Sequence, residues 1–227
     1  MRKIINRRTI IVEELLRQYA LGKRGFAEIE LIISDRVTDL DWSIVQGSVL
    51  NGANLSKICL RDADLRYAGE MNRINLAQAD LSGANLGQQS MRSADLSGAN
   101  LNRAHMKQVS LNGANLSGAD LGQADLAFSE LAGAILTEVN LRGAKLGRCQ
   151  LSGNLRGVDM SGADLNAADL LNIDLRNADL RNTILEGTYL SNVNLSGANL
   201  EGSRLDGVYF HNVTMPDGTI RNEGRVN

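Results

Sequence analysis

The chain has 227 residues, a formal net charge of −2, 4% aromatic residues and a single proline. That length suits one elongated domain, and so few rings exclude a core built on aromatic packing. No stretch approaches the length of a transmembrane helix, and the near-neutral balance provides no overall field for nucleic acid.

The charge is unevenly placed. Residues 1–25 carry seven Lys/Arg against two acids, so the other 202 carry 17 against 24. The basic start Met1-Arg2-Lys3 resembles the opening of a signal peptide. Its apolar run, Ile10-Ile11-Val12, stops at Glu13 and Glu14 and is too short for the hydrophobic region of one. Val12, Leu15, Leu16 and Tyr19 recur at helical spacing, with Thr9 as N-cap and Gly22 as stop, which predicts a short α-helix over 9–24. Such a helix would cap a repeat array whose first unit otherwise bares apolar core and strand edge. The only basic cluster, Arg2, Lys3, Arg7 and Arg8, is too small to predict direct nucleic-acid binding.

Phe26 and Leu31 begin a period of five, which Ile32 to Val37 interrupts and Leu40 resumes. From Met71 to Leu151 a Leu or Met falls at every fifth position without a break, in text such as "ADLSGANL" and "GANLSGADL". Two residues before most centres stands Ala; one before stands Asp or Asn more often than anything else; two after, often Gly. Five residues turn a helix by about 500°, which would scatter the leucines around it. On a flat strand an odd period sends successive leucines to opposite faces. Equal surroundings for every Leu require the chain to turn by a fixed angle each repeat, so that four repeats close a square coil and coils stack.

One residue is inserted between Leu65 and Met71, and one is missing between Leu151 and Leu155. A bulge near Ala68–Glu70 and a tightened corner near Gly153–Asn154 are expected. Counting centres from Leu40 to Met215 gives 36, or nine coils. At the spacing of adjacent strands that is roughly 43 Å of solenoid. Pro216-Asp217-Gly218 ends the run. The expected organisation is 1–25 as basic segment and capping helix, 26–215 as solenoid, and 216–227 as a short polar tail.

This A(D/N)Lxx pattern, over about four-fifths of the chain, resembles the pentapeptide-repeat family. The resemblance implies an all-β fold, a right-handed quadrilateral β-helix. The segment "LLRQYALGKRGFAEIEL" and the ending "MPDGTI" are similar to those of cyanobacterial members, among them a regulator of heterocyst differentiation. That likeness implies a non-enzymatic scaffold that regulates a protein partner. The chain lacks the long loop that interrupts the later coils of that relative. More distant members are acidic mimics of duplex DNA that bind gyrase. They imply the alternative function, with an acidic stripe of Asp80, Asp120, Asp159 and Asp179 as its surface. Against it stand the weak charge, the interrupting Arg103, Arg142 and Arg181, and the lack of a long C-terminal module. Asp and Asn are also simply the turn-supporting letters of the repeat.

No catalytic, cofactor or metal site is expected. His105 and His211 lie outward in distant coils without partners for a triad. Five consecutive repeats carry Asp159, Asp164, Asp169, Asp174 and Asp179, but these ring a coil and cannot converge on one ion. Cys59 falls in an outward slot and Cys149 in an inward one, so free thiols in a reducing, cytoplasmic setting are expected.

Outward slots are nearly all polar, so apolar residues there need a reason. Leu171, Ile184, Tyr189 and Tyr209 gather near the C-terminal end, with Arg204 and Asp169 on the rim. The register stacks Tyr189 on Tyr209 and places Ile184 one corner away. This patch is the expected interface with a protein partner. The open strand edge of the final coil predicts end-to-end pairing with a second copy as a further contact.

Overall fold

A computed structural model describes residues 8–11, 14, 17–18, 21–22, 29–32, 50–57, 59–66 and 70–225. Among the described residues eight strands are formed: β1 (Arg8–Ile11), β2 (Ile29–Ile32), β3 (Glu130–Leu131), β4 (Gln150–Asn154), β5 (Asp169–Asp174), β6 (Tyr189–Ser191), β7 (Tyr209–Thr214) and β8 (Ile220–Arg225). β1 pairs in parallel with β2. The other six form one sheet in the order β3-β4-β5-β6-β7-β8, parallel up to the antiparallel β7–β8 pair.

The rest of the solenoid is built from single-residue bridges at intervals of one coil. Asp64, Asn85, His105, Asp125, Lys145, Asp164, Ile184 and Arg204 are bridged in succession, and define the mixed face. Cys59, Asp80, Asn100, Asp120, Asn140, Asp159, Asp179 and Asn199 define the acidic face. An asparagine-rich face begins Asn54, Asn75, Asp95, Asn115 and Ile135. The tyrosine face runs from Ser90 through Ser110, β3, β4, β5 and β6 to β7.

One repeat shows why period five makes a corner. Leu76 is buried in the common core together with Ile74, which fills the inward slot two residues before it. The Leu76 N–H donates to the Asp95 carbonyl of the next coil at 2.7 Å, and Gln78 N–H to Ser97 at 2.8 Å. The Ala79 N–H turns back to the Leu76 carbonyl at 3.0 Å, closing a β-turn. Gln78 has φ +59°, the left-handed value that the second central residue of such a turn needs. Asp or Asn before the centre steadies the next corner: Asp95 Oδ1 accepts the Ser97 N–H at 3.0 Å. Each buried Leu contributes about 1.5–3 kcal/mol relative to an exposed one, and the leucines form one continuous column. Polar residues in the small inward slot are satisfied locally: the Thr188 hydroxyl donates to the Leu165 carbonyl at 2.9 Å.

Both slips appear as changes of register. Asn54, Cys59 and Asp64 pair with residues 21 further on, whereas Asn75 pairs 20 further on with Asp95. The inserted residue is thus absorbed between Leu65 and Met71; residues 67–69, most of the expected bulge, lie outside the described residues. Asn140 and Lys145 pair 19 further on with Asp159 and Asp164, and the register shifts between Ser152 and Gly153. Gly153, at φ +112°, turns at the expected tightened corner.

The two ends revise the expectations. Thr9 is not an N-cap, because it lies within β1, paired with Glu30. Glu14, Arg17 and Gln18 are helical, and Leu21 N–H donates to the Arg17 carbonyl at 3.2 Å. Val12, Leu15, Leu16 and Tyr19 lie outside the described residues, as do Arg2, Lys3 and Arg7. Residues 220–225 of the polar tail are a strand. Asp217 Oδ1 accepts the Thr219 N–H at 2.9 Å, and the turn sends the chain back along β7. The β7 edge is therefore covered, so on the tyrosine face end-to-end pairing through a bare final strand is not the geometry found, while Leu200, Leu205 and Met215 of the last coil stay only partly buried. Arg221 closes that end, its guanidinium 4.6 Å from the centre of the buried Phe210 ring.

Candidate interaction surface

On the tyrosine face, β5, β6 and β7 lie in register, so Asp169, Tyr189 and Tyr209 form one outward row. The Tyr189 and Tyr209 rings stack with centroids 4.8 Å apart and planes 8° from parallel. Coil spacing in a parallel sheet is about the centroid separation of two offset-stacked rings, so identical residues at one slot stack without adjustment. Both rings remain exposed, at 39% and 36%. Leu171, exposed to 39%, occupies the adjacent row with Ser191. Along the turn beside it, Asn192 donates to Asn172 at 3.0 Å and Asn212 to Asn192 at 2.8 Å. Asp169 Oδ1 is buried at the head of the tyrosine row and has no hydrogen-bond partner among the described residues.

Ile184 lies on the mixed face and is half-buried rather than exposed. It lines an open depression of about 370 Å³ with Phe128, Arg148, Asp164, Glu186 and Arg204. Arg204 pairs with Glu186, so its guanidinium is not a free rim charge. The structure thus gathers Leu171, Tyr189 and Tyr209 on one face and places Ile184 and Arg204 around the corner. Two exposed apolar residues within the described coils were missed at the sequence level, Phe128 at 53% and Ile135 at 51%; outside the repeats Leu21 and Ile220 are exposed as well. Phe128 and Ile135 stand in outward slots where the repeat carries polar letters, which was the available signal. Phe128 supports Arg148, whose guanidinium lies 5.6 Å from the ring centre.

The four acidic-stripe residues occupy one face, but each has at least one oxygen engaged. Asp80 Oδ1 accepts from Ser82 and Asn100, while Arg61 pairs with Oδ2 at 2.6 Å. Burial opposes ionisation of Asp80 most strongly, yet the bonds from Arg61 and Ser82 together hold it below the usual carboxylate range. Asp120 Oδ1 accepts the Gly122 N–H, Asp159 Oδ1 that of Ser161, and Asp179 that of Arg181. The Arg181 side chain is bonded to Asp179 as well and depresses its pKa. The stripe consists of turn supports, two of them neutralised by arginine.

His105 and His211 are exposed on different faces. Cys59 and Cys149 are free thiols; burial pushes that of Cys149 up to about 12. Among the described residues, no group of three His, Cys, Asp or Glu could hold a metal ion, and no helix is long and apolar enough to cross a membrane.

The profile described as pentapeptide repeats matches this chain in eight copies, over residues 38–66, 70–108, 114–153, 134–172, 144–182 and 173–212. The chain belongs to the pentapeptide-repeat family. Like other pentapeptide-repeat proteins it is a β-solenoid. It is similar to HetL, a pentapeptide repeat protein involved in heterocyst differentiation regulation from the cyanobacterium Nostoc sp. strain PCC 7120. The identity is 30% over 93% of this chain and 100% of that one, with a TM-score of 0.43. It is also similar to a trypsin-treated form of QnrB1, a plasmid-mediated fluoroquinolone resistance protein, at 14% identity, over 80% of this chain and 91% of that one, with a TM-score of 0.34. Rfr23, a pentapeptide repeat protein from the cyanobacterium Cyanothece 51142, is 23% identical over 62% of this chain and 89% of that one, with a TM-score of 0.22. No curated protein matches the chain.

Proposed function

We propose that this pentapeptide-repeat protein acts without catalysis, as a rigid scaffold that regulates a protein partner docked on its tyrosine face. The observation that carries the proposal is the exposed Tyr189–Tyr209 stack beside exposed Leu171. Solvent exposure of large rings costs free energy in the isolated protein, and tyrosine supplies wide contact area with few rotamers to immobilise. Continuous hydrogen bonding from coil to coil holds the patch in one shape, so a partner meets a preorganised surface. The regulatory part of the proposal comes from the likeness of the two chain ends to cyanobacterial family members. The alternative, mimicry of DNA toward gyrase, gains no support from the acidic face, whose carboxylates support turns and bind arginine.

The test is quantitative partner capture with the parent chain and with Tyr189→Ser/Tyr209→Ser, from the source cells, alongside circular dichroism and melting. The expected result is an unchanged β spectrum with loss of one discrete partner. Equal capture of that partner by the folded double variant would reject the tyrosine face.

A further inference from the structure

The corner between the mixed and tyrosine faces changes character along the solenoid. In its earlier coils the corner residue is large and left-handed: Gln88, Gln108, Phe128 and Arg148 have φ of 64°, 59°, 63° and 55°. These side chains pair off, Gln88 donating to Gln108 at 3.3 Å and Arg148 lying over Phe128. In the next three coils the same slot holds Ala167, Gly187 and Gly207. The corner is then bare backbone.

On either side of this bare strip stand chemically different walls. The chain passes in three steps from Asn166 to Asp169, from Glu186 to Tyr189 and from Asp206 to Tyr209. The residue between the strip and each outward group, Ala168, Thr188 or Val208, points into the core. One wall is therefore Asn166, Glu186 and Asp206, the other Asp169, Tyr189 and Tyr209. The strip joins the depression lined by Ile184 and Glu186 to the tyrosine stack. Arg148 stands at its upper end. At its lower end Arg225 donates from Nε to the Gly207 carbonyl at 3.3 Å. Between these ends the two faces carry Asp164, Asp169, Glu186 and Asp206 against Arg204 alone.

We propose that this corner trough, floored by Ala167, Gly187 and Gly207, takes an extended segment of the protein partner carrying basic and apolar side chains. The floor is one residue wide in each coil, which an extended chain can follow along the solenoid axis. The apolar side chains meet Tyr189, Tyr209 and Ile184, and the basic ones meet Asp164, Asp169 and Asp206, the carboxylates left outside the Arg204–Glu186 pair. The inference rests on the tyrosine face being the docking face, and adds where the partner's backbone runs and which charge it carries.

The test fills the floor without disturbing the fold. Gly187→Gln/Gly207→Gln restores the residue type already borne by Gln88 and Gln108 in the same conformation. A Cβ at Gly187 meets nothing within 4 Å, and one at Gly207 meets backbone only at 3.7 Å. Fluorescence anisotropy is read on short labelled peptides repeating Lys-Leu-Ser, with Glu-Leu-Ser as the opposite-charge control. The parent chain is expected to bind Lys-Leu-Ser and to lose the affinity with rising salt. The glutamine pair is expected to weaken it at least about tenfold, with an unchanged β spectrum and a melting point lowered only by the left-handed strain of two side chains in place of glycine. If that pair does not fold, Asp164→Asn/Asp206→Asn serves instead, and is expected to weaken the same peptide and flatten its salt dependence. Failure of the parent to bind Lys-Leu-Ser, or equal affinity for Glu-Leu-Ser, overturns the proposal. So does unchanged affinity in a folded glutamine pair. If Tyr189→Ser/Tyr209→Ser then loses the partner while the glutamine pair keeps it, the docking face stands and only the trough falls.

Discussion

Asn140 donates its side-chain amide to Asp120 Oδ1 across one coil at 2.8 Å, while the same oxygen accepts the Gly122 N–H at 2.9 Å. One carboxylate oxygen thus supports its own corner and the next coil. Asparagine offers the same carbonyl oxygen, and already serves at Asn100 and Asn140, which accept from Asn102 and Arg142. Asp120→Asn is expected to change stability by less than about 0.5 kcal/mol, and Asp120→Ala to cost about 1 kcal/mol. Urea unfolding checks both. A large loss in Asp120→Asn would mean that the charge, not the acceptor, matters there.

Glycines in the corner slot are not equivalent. Gly162 has φ +68° and open space where a Cβ would go, whereas a Cβ at Gly202, φ +70°, would collide with the Asn182 amide oxygen. Gly162→Ala is expected to cost about 1 kcal/mol of left-handed strain alone. Gly202→Ala must also displace Asn182, and is expected to lower the melting temperature further than Gly162→Ala does.

Acid should loosen the arginine-bonded turns. The Arg66, Arg176 and Arg181 side chains hold Asp64, Asp174 and Asp179 below the usual carboxylate range. A depressed folded pKa adds stability that is complete above the unfolded value, near 3.9, and is lost as pH falls through the folded one. All three pairs are substantially exposed, so each contributes modestly and salt weakens it. Melting temperature is expected to be flat above about pH 5 and to fall below about pH 4, less steeply in Asp174→Asn/Asp179→Asn.

Removing residues 216–227 should bare the β7 edge and take Arg221 off Phe210. An exposed edge of a regular parallel sheet templates association. The truncated chain is expected to sediment as aggregates at concentrations where the full chain does not. A soluble, monodisperse truncation would show that β8 is not a cap.

The coils were legible in the sequence because the period is strict: twenty residues apart means one face, and the bridges from Asn75–Asp95 to Asp125–Lys145 follow it. The slips after Leu65 and Leu151 were legible as changes in spacing. Stacking of Tyr189 on Tyr209 followed from register alone. Strand β8 did not, because Ile220 to Arg225 leaves the five-residue period, although Asp217-Gly218 is itself a hairpin signal. The placing of Arg148 over Phe128 and the Arg204–Glu186 pair were also hidden. They depend on side-chain reach between coils, which the column of pre-centre residues does not record. Thr9 was misplaced because its flanking pattern satisfies a helix cap, while pairing of β1 with β2 overrides local propensity.

The most direct measurement is photocrosslinking in the source cells from a benzoylphenylalanine placed at Leu171, and separately at Asn115 on the asparagine-rich face. If the tyrosine face docks a partner, Leu171 yields one discrete crosslinked protein, which disappears when Tyr189→Ser/Tyr209→Ser is added, and Asn115 yields none. Crosslinking of the same protein from Asn115, or an undiminished Leu171 product in the folded double variant, would contradict it.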